Sequence, residues 1–414
     1  MSTTAARPLA PRAVQDTPPS ANGAGPAQGN GEAGTTAILG VWDAGGDIEL
    51  PPPRGWLLGN TFCRKFMSSL LGDGGVGKTA VRYAQVLSLT TGRQLTGEYV
   101  FQRCRVLVIS LEDDADELRR RIRAARLHHK IDLSEVKGWL FLSAPGGSAG
   151  KLLSTDRAGK PVRGLLADKI AAEIVAHNID LVVIDPFVKS HSVEENLNSI
   201  IDDVAQILTD LATKYNIAVD APHHTSKGAS DPGNADKGRG ASSMKDAARL
   251  VYTLTPMSVE EAKILSINQE DRKQYVRVDS AKVNITKRLG AAKWYRLVGV
   301  PIGNETAMYP SGDEVQTVEP WQPPDAMAGI TSADFEKVAV EIRTGKWREN
   351  SQATNWVGLA VAKALNLEAG SRADRAKIGA MLKVWLAAGS LVIVEGFDEK
   401  RMTKKFVEVA AEEA

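Results

Sequence analysis

The sequence predicts an α/β protein with a mainly parallel central sheet, followed by a smaller α+β domain. Three observations carry this. Between Trp56 and Trp294, strand-length apolar runs alternate with longer segments of helical periodicity, the order of βαβ units. The run Leu181-Val182-Val183-Ile184 is apolar without interruption, as in a central strand covered on both faces. From about Thr331 the order changes to three helical segments and then two strand segments.

Strands are expected at 66–71, 106–111, 140–142, 181–184 and 217–221, with helices at 78–91, 115–127, 164–178 and 196–215. Further strands are expected at 251–255, 263–267, 275–283 and 293–298 without long helices between them, as in an added antiparallel part. Residues 301–330 have little periodicity and carry Pro320, Pro323 and Pro324, so they read as a linker. The second domain, 331–409, is expected to hold helices 332–345, 354–366 and 372–388, then strands 391–395 and 402–408. That is the element order of a winged helix. Residues 1–50 are rich in Ala, Gly, Pro, Ser and Thr and cannot bury enough apolar surface to offset chain entropy, so they read as a disordered tail. The folded α/β domain then spans 51–300, and 410–414 is a short tail.

At 414 residues, the chain is long enough for two or three domains. Two cysteines cannot build a disulfide framework, which points to a reduced, cytoplasmic setting. No apolar run approaches the ~20 residues that span a bilayer, and no secretory h-region opens the chain, so no membrane partner is expected. The net charge of +1 argues at first against nucleic acid, but regions of opposite sign can cancel in such a sum.

Gly72-Asp73-Gly74-Gly75-Val76-Gly77-Lys78-Thr79 fits G-x-x-x-x-G-K-[ST], follows a predicted strand and opens a predicted helix. Its glycines let backbone N–H groups wrap phosphates at a helix N-terminus. Lys78 would reach the β- and γ-phosphates of ATP, and the Thr79 hydroxyl would ligate Mg²⁺; Ala80 completes the binding segment. Asp185 ends the apolar strand 181–184, the form of a Walker B carboxylate that orders the metal's water shell. No [NT]-K-x-D base-reading motif and no L-S-G-G-Q signature is present, which disfavours GTPases and transporter ATPases. Asp73 stands where partition ATPases carry a lysine, so that group is disfavoured too.

Two more strand ends carry polar groups. Glu112 closes the second strand in the run Glu112-Asp113-Asp114, and His223-His224 follow the strand 217–221. As neighbours on an extended chain the two histidines point to opposite sides, which argues against a chelating pair. His224 is preferred as a γ-phosphate sensor, with little to separate it from His223.

Together with Arg239-Gly240-Ala241-Ser242-Ser243, these motifs resemble the RepA-like branch of RecA-type ATPases, over roughly residues 55–300. The resemblance implies a RecA-like P-loop NTPase with ATP and Mg²⁺ as cofactors. It implies Glu112 as general base on the attacking water, and a homo-oligomeric, hexameric ring in which Arg239 reaches a neighbour's γ-phosphate. It further implies a helicase-like role in replicating a plasmid, phage or mobile element, with an ATP-switched DNA-binding or loader protein as the alternative. The C-terminal segment, with Asp374-Arg375 and Trp385-Leu386, resembles a domain fused to related ATPases of mobile elements.

Residues 272–296 hold eight cations, Arg272, Lys273, Arg277, Lys282, Lys287, Arg288, Lys293 and Arg296, against one acid, Asp279. With Tyr275, Trp294 and Tyr295 interleaved, this +7 strip reads as a path for single-stranded DNA. Lys282 would alternatively reach a neighbouring nucleotide. Residues 225–240 read as a channel loop carrying Lys227, Lys237 and Arg239. In helix 372–388, Ile378, Met381, Leu382, Trp385 and Leu386 form an apolar stripe, and Arg372, Arg375 and Lys383 share a face with Gly379 that would meet duplex DNA.

Overall fold

The computed structural model describes residues 42–193, 198–224, 232–234, 245–265, 267–287 and 291–410. The chain divides into two units, 1–52 and 53–414. In the first, the described residues hold a 3-10 turn at Ala44–Gly46, capped by Asp43. The reading of residues 1–41 as disordered lies outside the described residues.

The second unit opens with β1 (Trp56–Leu58), β2 (Phe62–Cys63) and β3 (Met67–Gly72), followed by α1 (Lys78–Thr91), β4 (Val106–Ser110), α2 (Ala115–His128), α3 (Leu133–Val136) and β5 (Leu140–Ser143). Next come β6 (Leu153–Thr155), β7 (Pro161–Arg163), α4 (Leu166–His177), β8 (Leu181–Asp185), α5 (Asn198–Lys214), β9 (Ala218–Asp220) and β10 (His223–His224). The antiparallel part adds β11 (Leu250–Pro256), α6 (Val259–Ile264), β12 (Tyr275–Val283), β13 (Lys293–Pro301) and β14 (Glu314–Trp321). The chain then runs through α7 (Ser332–Arg343), α8 (Val357–Leu365), α9 (Arg372–Ala387), β15 (Leu391–Phe397) and β16 (Thr403–Val409).

The main sheet has the order β14-β13-β12-β11-β3-β9-β8-β4-β5, with β10 paired to β3. Strands β11, β3, β9, β8, β4 and β5 are parallel; β12, β13 and β14 extend the sheet antiparallel. The uninterrupted apolar strand β8 explains why the core has two layers. Val182 and Ile184 pack with Ile170 and Ile174 of α4 and Leu208 of α5 on one face. Leu181 and Val183 pack with Tyr83 and Val86 of α1 and Leu118 and Ile122 of α2 on the other. Period-two alternation thus serves a strand with no polar face. With helices on both faces of a mostly parallel sheet, the architecture is that of a RecA-like P-loop NTPase.

Two expectations are corrected. The segment 263–267, read as a strand from its alternation, lies in and after α6. A capping box starts that helix, with Ser258 and Glu261 each bonding the other's backbone N–H, and this local signal outweighs a short apolar alternation. Residues 301–330 are not all linker. Strand β14 pairs with β13 from Trp294↔Trp321 to Pro301↔Glu314, so the sheet runs past the expected boundary at 300. Prolines 301 and 320 disguised the ribbon, yet Pro320 is tolerated because β14 is an edge strand.

The C-terminal part has its own core, in which Ile378, Met381, Leu382 and Trp385 of the expected stripe are buried with Val338, Val361 and Val407, and Leu386 packs against them. Helix α9 also packs against α6.

One buried ion pair joins the layers. Arg82 of α1 donates to the Asp220 carboxylate of β9 at 2.8 Å, with side chains 1% and 0% exposed. Ser68 of β3 donates to the same oxygen at 2.6 Å. Asp220→Ala would leave a buried, uncompensated guanidinium and is expected to cost about 3–5 kcal/mol, read as a lowered midpoint in urea unfolding.

Candidate functional site

The phosphate loop emerges from β3 and turns into α1. Gly77 precedes the helix with φ +104°, a conformation that favours glycine, and a Cβ there would stand 2.8 Å from a methyl of Leu297 on β13. Strand β10 continues the sheet at the same level, with His224 opposite Gly72. Strand β8 ends beside β4 in the register Ser110↔Asp185, which brings Glu112 and Asp185 to one rim. The sheet order therefore delivers the ends of three separated strands to one helix N-terminus.

These residues line a cavity of about 210 Å³ that includes Gly75, Gly77, Lys78, Thr79, Ala80, Glu112, Asp185 and His224. Thr79 Oγ1 donates to Asp185 Oδ2 at 2.8 Å. The Lys78 ammonium is buried and donates to the carbonyls of Gly72 at 2.7 Å and Asp73 at 2.8 Å, with His224 Nδ1 at 3.1 Å. Burial lowers the Lys78 pKa to about 8, against the opposing pull of Asp185, Asp73 and Glu112. Burial, followed by the Lys78 charge, also lowers the His224 pKa. A neutral His224 accepts at Nδ1 from Lys78 and keeps its ring proton on Nε2.

Burial raises the Asp185 pKa to about 6, opposed by the Thr79 hydrogen bond and Lys78. A hydroxyl and a carboxylate are hard oxygen donors of the kind Mg²⁺ takes, and Mg²⁺ usually completes its shell with water and substrate phosphate. No group of three or more His, Cys, Asp or Glu among the described residues could hold a metal by itself. The donor set at Thr79 and Asp185 thus fits an ion brought in with a phosphate.

The structure separates the two histidines. His224 lines the cavity, whereas His223 is buried edge-on against Phe187, at 5.6 Å between ring centroids. Arg239, Lys227 and Lys237 lie outside the described residues. Five cavity residues were not among the predicted site residues: Ser110, Asp113, Arg121, Pro186 and Gln316. Arg121 on α2 pairs with Asp113 at 2.8 Å and Glu117 at 3.1 Å. The i, i+4 spacing to Glu117 signalled the second pair, whereas nothing local linked Gln316 to a site more than 230 positions earlier.

Residues 33–230 match a family model described as an AAA domain. That segment is similar to AAA-type domains, which supports an ATPase of the AAA/RecA type. The match includes Lys78, Glu112, Asp185 and His224 and stops before the antiparallel strands. An AAA domain implies nucleotide binding, in accord with the cavity over the phosphate loop. Among the described residues, no helix is long and apolar enough to cross a membrane.

The basic strip is largely committed to internal partners. Arg277 pairs with Asp279 and Glu261, Lys293 with the buried Glu98 at 2.6 Å, and Arg296 with Glu319 at 2.7 Å. Arg272 donates to the Met257 carbonyl, and Lys282 to the carbonyls of Lys245 and Asp246. Lys273 and Lys287 are exposed, and Arg288 lies outside the described residues. The aromatics are occupied too: Tyr295 is buried, while Tyr275 and Trp294 both pack on Trp321. The +7 was summed within 272–296, but Glu98, Glu261 and Glu319 lie outside it. On α9, Arg375 is turned inward, donating to the Ser351 and Ala369 carbonyls over the Trp356 ring, whereas Lys383 is exposed.

Asp185→Asn is expected to stabilise the nucleotide-free protein at pH 7.5 by roughly 1–3 kcal/mol, because it removes a buried carboxylate charge. A raised folded-state pKa means the native state binds more protons between pH 4 and 6, so wild-type stability falls as pH rises through that window. The gap in thermal midpoints should therefore close near pH 4 and be fully open above about pH 6.

Proposed function

We propose that the chain is an ATP-hydrolysing motor of RecA type that acts on DNA as a homo-oligomer, helicase-like, in the replication of a plasmid, phage or mobile element. The observation that carries the hydrolase part is the convergence of Lys78, the Thr79–Asp185 pair and Glu112 on one cavity. Thr79 and Asp185 would hold Mg²⁺, which when bound neutralises charge on the β- and γ-phosphate oxygens. Lys78 exchanges its two backbone carbonyls for phosphate oxygens. Glu112, exposed at the cavity rim, takes the proton of the attacking water. His224, beside the Lys78 ammonium, registers loss of the γ-phosphate and passes it to the segment that follows β10. Arg239, on that segment, completes the site of a neighbouring subunit.

What supports a DNA substrate is the β15–β16 hairpin, where Phe397 and Met402 are exposed beside the exposed Lys400 and Arg401. A second reading, an ATP-switched DNA-binding or loader protein, is favoured by the internal pairing of Arg277, Lys293 and Arg296, which leaves fewer cations for a translocating strand. ATPase turnover with and without single-stranded DNA, run beside strand displacement on a forked duplex, separates the two. The motor predicts stimulation together with displacement; stimulation without displacement leaves the switch. Lys78→Ala should abolish turnover. Mixing Arg239→Ala with Glu112→Gln subunits should restore part of the turnover that neither has alone, and no recovery at any ratio would remove Arg239 from the neighbour's site.

A further inference from the structure

The phosphate cavity meets a second and larger one at Gln316. The outer cavity measures about 640 Å³, within the range that small-molecule ligands occupy, and its lining includes Lys273, Leu297, Gly299, Glu314 and Gln316. Gln316 lines both cavities. Of the ribbon residues in this lining, Leu297, Gly299, Glu314 and Gln316 share one face, and Arg296 and Val298 reach the cavity from the other. Gly299 stands opposite Gln316, Leu297 opposite Val318 and Pro301 opposite Glu314, and residues directly opposite in an antiparallel pair share a face. Leu297 is also the side chain that leans on Gly77, so the floor of the outer cavity continues from the phosphate loop.

We infer that the β13–β14 ribbon takes the nucleoside half of a nucleoside triphosphate whose phosphates lie on the loop at Lys78. This rests on the reading of the phosphate cavity given above and extends it to a part of the chain beyond residue 230, where the family match ends. The chemistry of the face suits a base and a ribose. Leu297 offers an apolar surface to a base. Glu314 offers a carboxylate acceptor for ribose hydroxyls. Gln316, at the seam, offers both a donor and an acceptor to the nucleotide as it passes from one cavity to the other. Gly299 is required for this arrangement: a Cβ there would come within 1.8 Å of the Glu314 carboxyl oxygen, which now lies over the strand.

The test uses the full chain and two probes, Mg·ATP and Mg·tripolyphosphate, titrated calorimetrically. Glu314→Ala and Gly299→Val both lie on an exposed part of the ribbon, outside the phosphate cavity, and Gly299→Val need displace only the flexible end of Glu314. Each should weaken ATP about tenfold while leaving tripolyphosphate within about twofold, because only ATP has a nucleoside to lose. Unchanged ATP binding in both variants, or equal weakening of the two probes, would overturn the inference. Lys78→Ala should lose both probes. If tripolyphosphate binds that variant as it binds wild type, the phosphate-site reading fails, and the inference with it.

Discussion

Arg82 and Asp220 meet inside the protein, and the geometry of the site depends on that contact. Arg82 lies one helical turn beyond Lys78, and Asp220 lies four residues before His224. Ser68, on the strand that leads into the phosphate loop, bonds the same carboxylate. The pair therefore ties together the helix that presents Lys78 and Thr79, the strand that feeds the loop, and the strand that presents His224. A buried charge pair is weak as a source of net stability, but it is unforgiving of displacement, since either partner alone would be stranded in low dielectric. From Arg82 the network continues through Gln85 to Glu98, and from Glu98 to Lys293 of the ribbon. The same chain of polar contacts thus reaches from the strand that leads to His224 to β13, which carries Leu297 over Gly77.

The parallel half of the sheet was legible because its signals are local. An uninterrupted apolar run such as Leu181–Ile184 has few uses other than a doubly covered strand, and the glycine-rich loop has a fixed relation to the helix it opens. Glu112, Asp185 and His224 were legible for the same reason, each lying at or just past a strand end. What sequence could not separate was His223 from His224, since alternation says only that they diverge. In the fold His223 packs against Phe187, and His224 is the one that lines the cavity. Gln316 was not legible, because its place depends on a register with Gly299 set by ribbon packing.

Much of the strip's charge is met within the fold for a related reason. Summing charge over 272–296 assumes that the partners of a segment lie within it. Strands that close a sheet find theirs on neighbouring strands and helices, and Glu98, Glu261 and Glu319 come from three different parts of the chain. Tyr295 likewise reads as a stacking residue in sequence and is a core residue in the fold. The same ribbon that carries part of the strip also lies beside the phosphate loop. Its alternating face toward α1 and α2 explains why Leu297 and Val318 belong to a core cluster although β14 is an edge strand.

The central claim is that this fold assembles a metal–triphosphate site from Lys78, Thr79, Glu112 and Asp185. It is tested most directly by a crystal structure with Mg²⁺ and a non-hydrolysable ATP analogue. The account predicts Lys78 Nζ on the β- and γ-phosphate oxygens instead of the Gly72 and Asp73 carbonyls, with the metal bound by Thr79 Oγ1. It also predicts Glu112 facing a water in line with the γ-phosphate. A nucleotide bound elsewhere, or Lys78 still held by the two carbonyls beside a bound triphosphate, would contradict it.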